Sequence, residues 1–180
     1  FGVSPTLYYD PLERVTQMLT AKGFYEKHAW TAWKQTMGDE NDTLLDSPYY
    51  AVNITDSDPT SPFYDTALTE AGKENLAYVA QYLANTPERI VVDNLGRTII
   101  EERINQSQDT PQGETLRTYH TYDILGRELS NSDPRLSQSG LHNFEMTYSL
   151  VGKVLKTLSV DAGTRWSLTD TLGKPLWSYD

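Results

Sequence analysis

A six-residue pattern that recurs five times constrains this 180-residue chain more than any other feature. It reads as an aromatic or β-forming residue, Asp, two further residues, Gly, and a basic residue. The copies are Tyr9-Asp10-Pro11-Leu12-Glu13-Arg14, Val92-Asp93-Asn94-Leu95-Gly96-Arg97 and Tyr122-Asp123-Ile124-Leu125-Gly126-Arg127. Tyr148-Ser149-Leu150-Val151-Gly152-Lys153 and Thr169-Asp170-Thr171-Leu172-Gly173-Lys174 complete the set. Counted from the Asp position, the last four lie 30, 26 and 21 residues apart, and Tyr179-Asp180 reads as the opening of a sixth.

The pattern describes a turn between two strands. Asp in the first turn position caps the backbone two residues on, Pro suits the second, and Gly suits the fourth, as in a type I turn. Gly96, Gly126, Gly152 and Gly173 supply a positive φ that other residues adopt at a cost of about 1–2 kcal/mol. Glu13 breaks this rule, which predicts a strained, differently shaped or frayed turn there. The apolar residue in the third position (Leu12, Leu95, Leu125, Leu172) is expected to tuck under the turn. The basic residue starts the next strand, where its stem can lie over aromatic neighbours. Asp10, Arg14, Asp93, Gly96, Arg97, Asp123, Gly126, Arg127, Gly152, Asp170 and Gly173 are therefore the candidate structural residues of the repeat.

Between the turns the chain reads as strand. Arg97–Ile104, Glu114–Tyr122, Asn143–Tyr148 and Lys153–Val160 are rich in β-branched and aromatic residues. In the second of these, Leu116, Thr118, His120 and Tyr122 oppose Thr115, Arg117, Tyr119 and Thr121. Phe24–Thr31 and Trp33–Met37 read as strands interrupted at Ala32, and Asp161-Ala162-Gly163 as a hairpin turn leading into Arg165–Thr169. One segment departs from this pattern. From about Thr66 to Asn85, apolar residues recur at helical spacing, with Asp65 or Thr66 to cap the start and Asn85-Thr86-Pro87 to end it. Loops are expected at 56–62, 105–113 and 131–140.

The formal charge of −10 and a pI near 4.7 argue against binding a phosphate backbone. No apolar run is long enough to predict a membrane-inserting helix. Cysteine is absent, so thiolate and disulfide chemistry are excluded. The cluster Asp39-Glu40-Asn41-Asp42 with Asp46 has the oxygens a calcium ion wants but not the spacing of an EF-hand loop, and reads as a turn-capping cluster. His28, His120 and His142 lack a two-His ligand spacing. Trp30, Trp33, Trp166 and Trp177 could stack sugars, though packing is the simpler role. The expectation is no catalytic residue, no metal and no cofactor.

These residues resemble the YD repeats of the RHS family, which includes polymorphic bacterial toxins, teneurins and insecticidal toxin complexes. Tyr8–Tyr50 is similar to the B component of the last group, in its turn at Asp10–Arg14, its segment Phe24–Trp33 and its Asn41-Asp42-Thr43. The helix from Thr66 and the stretch Val160–Asp180 also suit that family. Two departures are Glu13 in place of the turn glycine and the lack of a second tryptophan in Trp33–Gly38. The resemblance covers nearly the whole chain. It implies a mainly β fold of stacked antiparallel β-hairpins, part of a curved β-sheet shell, with one helix inserted near 66–85. Residues 1–180 would then be a segment of a larger secreted protein. The implied partners are the remaining shell repeats, the C component and an enclosed toxin cargo. A carbohydrate- or cell-surface-binding β-module is the alternative.

Overall fold

A computed structural model describes residues 4–180. It is mainly β, with twelve antiparallel strands in one open sheet whose order follows the chain. The strands are β1 (Thr6–Tyr9), β2 (Val15–Leu19), β3 (Tyr25–Trp30), β4 (Lys34–Gly38), β5 (Glu88–Val92) and β6 (Thr98–Asn105). They continue as β7 (Glu114–Tyr122), β8 (Glu128–Ser132), β9 (Phe144–Tyr148), β10 (Val154–Ser159), β11 (Gly163–Thr169) and β12 (Pro175–Tyr179). Most connections are short enough to permit only antiparallel neighbours, which is why sequence order becomes strand order there; β4 and β5 are neighbours although residues 39–87 separate them. The chain divides into two compact units. One runs to Arg89 and includes Arg103–Thr115; the other comprises Ile90–Glu102 and Leu116–Asp180.

The first unit interrupts its strands with an excursion after β4. A 3₁₀ turn (Leu44–Asp46) leads into α1 (Pro48–Tyr50), a π-helical turn (Ala51–Thr55) and then α2 (Glu70–Tyr82). Ser47 caps α1 by accepting from the Tyr50 N–H, with Pro48 in the first turn where no donor is needed. Leu44, Tyr49 and Val79 are the buried apolar side chains among the described residues, and all three belong to this excursion. Asn53 is buried with them and fully engaged. Its Nδ2 donates to the Tyr49 and Phe63 carbonyls at 2.9 and 2.8 Å, and its Oδ1 accepts from the Asp65 N–H at 2.8 Å. Burial, with the Asp65 carboxylate as acceptor, pushes the Tyr49 phenol up to about 12.

The helix cap differs from the sequence expectation. Thr69, not Asp65 or Thr66, starts α2 by accepting from the Gly72 N–H at 3.1 Å. Asp65 instead accepts from the Tyr49 hydroxyl and the Ala67 N–H. At the other end Asn85 has φ 63°, and its N–H donates to the Asp42 carbonyl. Asp42 Oδ1 also takes the Thr86 N–H and hydroxyl, so this residue closes the excursion at its base.

The second unit has almost no interior. Its buried residues are Ser130 and Ser132, and it contributes no apolar side chain to the buried set. The alternation read from β7 holds, with Leu116, Thr118, His120 and Tyr122 half-buried and their neighbours exposed. Cross-strand pairs and backbone ladders therefore carry most of the stabilisation. The loop expected at 131–140 is only partly one. Asn131 and Ser132 end β8, and Asp133 caps the short α3 (Pro134–Ser137) by accepting from the Arg135 and Leu136 N–H groups.

The excursion meets the β2–β3 turn at Gly23. The Tyr49 N–H donates to the Gly23 carbonyl at 3.1 Å, and the rings of Phe24 and Tyr49 stack at 4.5 Å. Gly23 has φ 90°, and a Cβ there would lie 2.7 Å from the Phe63 ring. Gly23→Ala is expected to cost about 2–4 kcal/mol, combining a left-handed backbone with a clash. Gly96→Ala meets nothing within 4 Å and should cost only the backbone part, about 1–2 kcal/mol. Urea unfolding of both variants checks the difference; equal losses would contradict it.

Candidate functional site: the repeat-turn ladder

The five repeat turns share one backbone. The N–H of the first residue donates to the carbonyl of the fifth, and the N–H of the fourth donates back to the carbonyl of the first. At Asp10, Asp93, Asp123, Ser149 and Asp170 these bonds measure 2.8–3.0 Å. The carboxylate then organises what the backbone leaves open. Asp10 Oδ1 accepts from the Leu12 and Arg14 N–H groups at 2.8 and 3.0 Å, while Oδ2 accepts from Arg14 Nε at 2.7 Å. Asp93 with Leu95 and Arg97 repeats this geometry, as does Asp123 with Leu125 and Arg127. Asp170 keeps both backbone acceptances but faces Lys174, and Ser149 keeps one, from the Lys153 N–H.

Wherever the register after one of these five turns is defined, the outgoing strand carries a bulge at its second residue. Tyr9 pairs Val15 and Tyr8 pairs Gln17, so Thr16 is left over. Leu129, Leu155 and Leu176 are passed over in the same way. A bulge increases the local twist of the strand that holds it.

One sequence expectation holds at these turns and one fails. Glu13 gives the strained form of the turn, not a differently shaped or frayed one. It takes φ 62°, close to the 77–85° of Gly96, Gly126, Gly152 and Gly173, and keeps every bond of the motif. The carboxylate–guanidinium pair holds the turn tightly enough to force the left-handed backbone on a glutamate. Leu12, Leu95, Leu125 and Leu172 do not tuck under their turns; all four are exposed. A five-residue turn closed by its own hydrogen bonds has no space beneath it.

The basic residue does more than start a strand. Arg97 lies 4.9 Å over the Tyr122 ring, and its Nη1 donates to the Asp123 carbonyl at 3.1 Å. The Tyr122 hydroxyl donates back to the Thr98 carbonyl at 2.8 Å. The next step is the same. Arg127 lies 4.7 Å over Tyr148 and donates to the Ser149 carbonyl, and the Tyr148 hydroxyl donates to the Glu128 carbonyl. Each arginine is thus oriented by its own aspartate and clasps the following hairpin, whose tyrosine clasps back. In the first unit Arg14 lies 5.0 Å over Trp30, which precedes the turn at Thr31. Sequence reasoning had the stem over an aromatic ring; the reciprocity between consecutive repeats is visible only in three dimensions.

One turn escaped the pattern search. Thr20–Phe24 makes the same two backbone bonds, the Thr20 hydroxyl accepts from the Phe24 N–H at 3.1 Å, and Gly23 supplies the positive φ. Phe24 stands where the pattern has a basic residue, so the search would have had to accept Thr in the Asp position and drop the basic residue as well.

The other candidates do not converge. Asp39 Oδ1 accepts from the Asn41 and Asp42 N–H groups, and Asp46 pairs with Lys27, so these carboxylates cap and pair instead of facing one another. His28 stacks on Trp30, His120 bonds Glu128 at 2.7 Å, and His142 bonds the Ser132 hydroxyl.

The Arg14 and Arg97 guanidinium bonds hold the Asp10 and Asp93 carboxyls below the ordinary value of 3.8. For Asp123 burial pushes upward, but the Arg127 backbone N–H and guanidinium outweigh it, and the net direction is again downward. A folded-state value below the unfolded one means the stabilisation is complete above the unfolded value, near 3.8, and is lost as pH falls through the lowered folded values. The difference in thermal midpoint between the parent chain and Asp123→Asn is expected to be largest above about pH 4 and to shrink below it. A difference that grows on acidification would contradict this. Tyr148→Phe keeps the ring, removes the hydroxyl that bonds the Glu128 carbonyl and the Met146 sulfur, and should cost about 1 kcal/mol in denaturant unfolding.

No family model matches the chain. Among curated proteins it is similar to toxin subunits YenC2 and YenC1 of Yersinia entomophaga, with 36% identity over 95 residues and 39% over 97. These matches cover 52% and 50% of this chain and about a tenth of each relative. Among solved structures it is similar to TcdB2-TccC3-TEV, with 29% identity, a TM-score of 0.73, and coverage of 97% of this chain and 7% of that one. The turn chemistry, the strand order and these likenesses agree with the YD-repeat, RHS-type β-shell that the sequence resembles.

Proposed function

We propose that this chain is a wall segment of a YD-repeat shell that encloses and protects a toxin cargo in a secreted toxin complex, and that its work is structural, not catalytic. The Arg–Tyr clasp between consecutive hairpins carries this reading. Such a clasp adds repeats one at a time without a central core, which suits a wall whose two faces separate a lumen from solvent. The second unit, with no buried apolar side chain of its own, fits that use better than a self-contained globular domain. The partners would be neighbouring repeats, the other component of a complex of the TcdB2-TccC3 kind, and the cargo. The aspartates of the turns are committed to capping, which favours a non-catalytic role.

A second reading has one observation in its favour. The register places Trp166 opposite Tyr179 and Leu168 opposite Trp177, so Trp166, Trp177 and Tyr179 share one exposed face. The Trp177 and Tyr179 rings lie nearly parallel, 6.2 Å apart. Such a platform could stack a sugar.

Limited proteolysis of the cargo in the assembled parent complex tests the wall. Arg97→Ala with Arg127→Ala is expected to expose the cargo at a lower temperature than in the parent, because both clasps open. Cargo equally protected with the clasps removed would count against the proposal. Quenching of tryptophan fluorescence by oligosaccharides, lost on Trp177→Ala, would move the assignment to the sugar-binding module.

A further inference from the structure

The ladder of clasps in the second unit lacks its third ring. Lys153 holds the place in its turn that Arg97 and Arg127 hold in theirs, and Thr169 the place of Tyr122 and Tyr148. Carried back from Lys156 opposite Trp166, the β10–β11 register sets Lys153 opposite Thr169. In the two earlier steps the space between neighbouring turns holds a tyrosine ring under a guanidinium. In the third step threonine leaves that space unfilled, and a cleft of about 370 Å³ lies there. Val151, Lys153 and Leu155 line it from one hairpin, and Ser167, Thr169 and Asp170 from the next.

The polar partners that a ring would need are still in place. The Tyr122 and Tyr148 hydroxyls donate to the carbonyl of the residue after the arginine, Thr98 and Glu128. The corresponding carbonyl of the third step is that of Val154, and the Ser167 hydroxyl donates to it at 2.9 Å. With its proton committed there, the Ser167 oxygen keeps its lone pairs for another hydroxyl. Lys153 reaches across to the next turn, its Nζ 3.5 Å from where a Cβ on Gly173 would stand. An ammonium so placed attracts the face of a π system.

We propose that this cleft is a binding site for a phenol ring, which takes the place that Tyr122 and Tyr148 hold in the earlier steps. Val151 and Leu155 supply apolar walls, Lys153 the cation, and Ser167 the acceptor for the phenolic O–H. Other ligand classes fit less well. An anion meets the Asp170 carboxylate beside Lys153, so charge gives it no net gain. A sugar stacks on aromatic faces, and none of the described residues lining the cleft is aromatic. This inference concerns one step of the ladder and holds whether or not the sheet encloses a cargo.

Two probes present the ring, p-cresol as a free phenol and N-acetyl-tyrosinamide as a tyrosine side chain with its backbone. Titrated into the isotope-labelled chain, p-cresol is expected to shift the amide resonances of Lys153, Ser167 and Thr169. A Kd on the order of 1 mM is expected for a ligand of so few atoms. Thr169→Tyr supplies the missing ring from the chain itself and should weaken p-cresol binding by at least about tenfold, one hydrophobic contact's worth or more. Lys153→Met alters only an exposed side chain and should weaken it about threefold through loss of the cation, which keeps the test open if the tyrosine variant fails to fold. Binding of both probes assigns the cleft to a tyrosine side chain, and binding of p-cresol alone assigns it to a free phenol. No shift, shifts confined to other residues, or binding undiminished in a folded Thr169→Tyr chain would overturn the proposal.

Discussion

A guanidinium held flat by its own turn and laid on the ring of the next hairpin is the contact on which the repeat sheet depends. Arginine suits this because its planar fork donates in several directions at once: Nε to the aspartate behind it, Nη1 to the carbonyl ahead, and its face to the tyrosine below. The aspartate fixes the side chain before the next hairpin arrives, so little rotamer freedom is lost on clasping. The tyrosine answers through its hydroxyl, and the pair of hydrogen bonds sets both the spacing and the register of neighbouring turns. Lysine at 153 and 174 offers a point charge instead of a fork. Lys153 Nζ still reaches the turn at Gly173, but without a flat face to lay on a ring or a rigid fork to hold its donors in place.

The two units solve the problem of stability in different ways. In the second, repetition replaces a core. Each hairpin gains from its neighbours through ladder bonds, cross-strand pairs and the clasp, and the faces stay largely open. In the first, the excursion after β4 builds a small plug in which Leu44, Tyr49 and Val79 are buried together with Asn53 and Ser47. Polar groups so placed must be satisfied within the protein, and they are: Ser47 bonds the Leu44 carbonyl and the Tyr50 N–H, and Asn53 uses both ends of its amide. The plug seats on Gly23 because only there can the backbone approach closely enough for the Tyr49 N–H to reach it.

Among the described residues, Glu13, Ser57 and Asn85 are the non-glycine positions that hold a left-handed backbone. Glu13 holds a left-handed backbone that its counterparts give to glycine, and the recurring bulges leave one residue of each outgoing strand unpaired. The turn's closure alone does not impose the bulge: Thr20–Phe24 closes with the same two backbone bonds, yet Leu19, Met18 and Gln17 pair Tyr25, Glu26 and Lys27 with no residue passed over. Where a bulge does occur, it raises the local twist of the strand that holds it.

The sequence by itself determined the turns, most of the strands and the strand order. Asp, Gly and a basic residue at fixed offsets encode a turn through local hydrogen bonds, and short turns leave antiparallel pairing with the next strand as the only choice. It also marked the helix, because α2 has a long enough period to be counted; its cap was misplaced because Asp65, Thr66 and Thr69 are locally equivalent, and only the Tyr49 hydroxyl draws Asp65 away. The structure alone decided where side chains separated by many residues meet. The clasp joins Arg97 to Asp123 and Arg127 to Ser149, the plug joins Asn53 to Phe63, and Asp42 closes on Thr86. It also turned the leucine tips outward, since whether an apolar side chain finds cover depends on the volume beneath the turn, and no local pattern of residues records that volume.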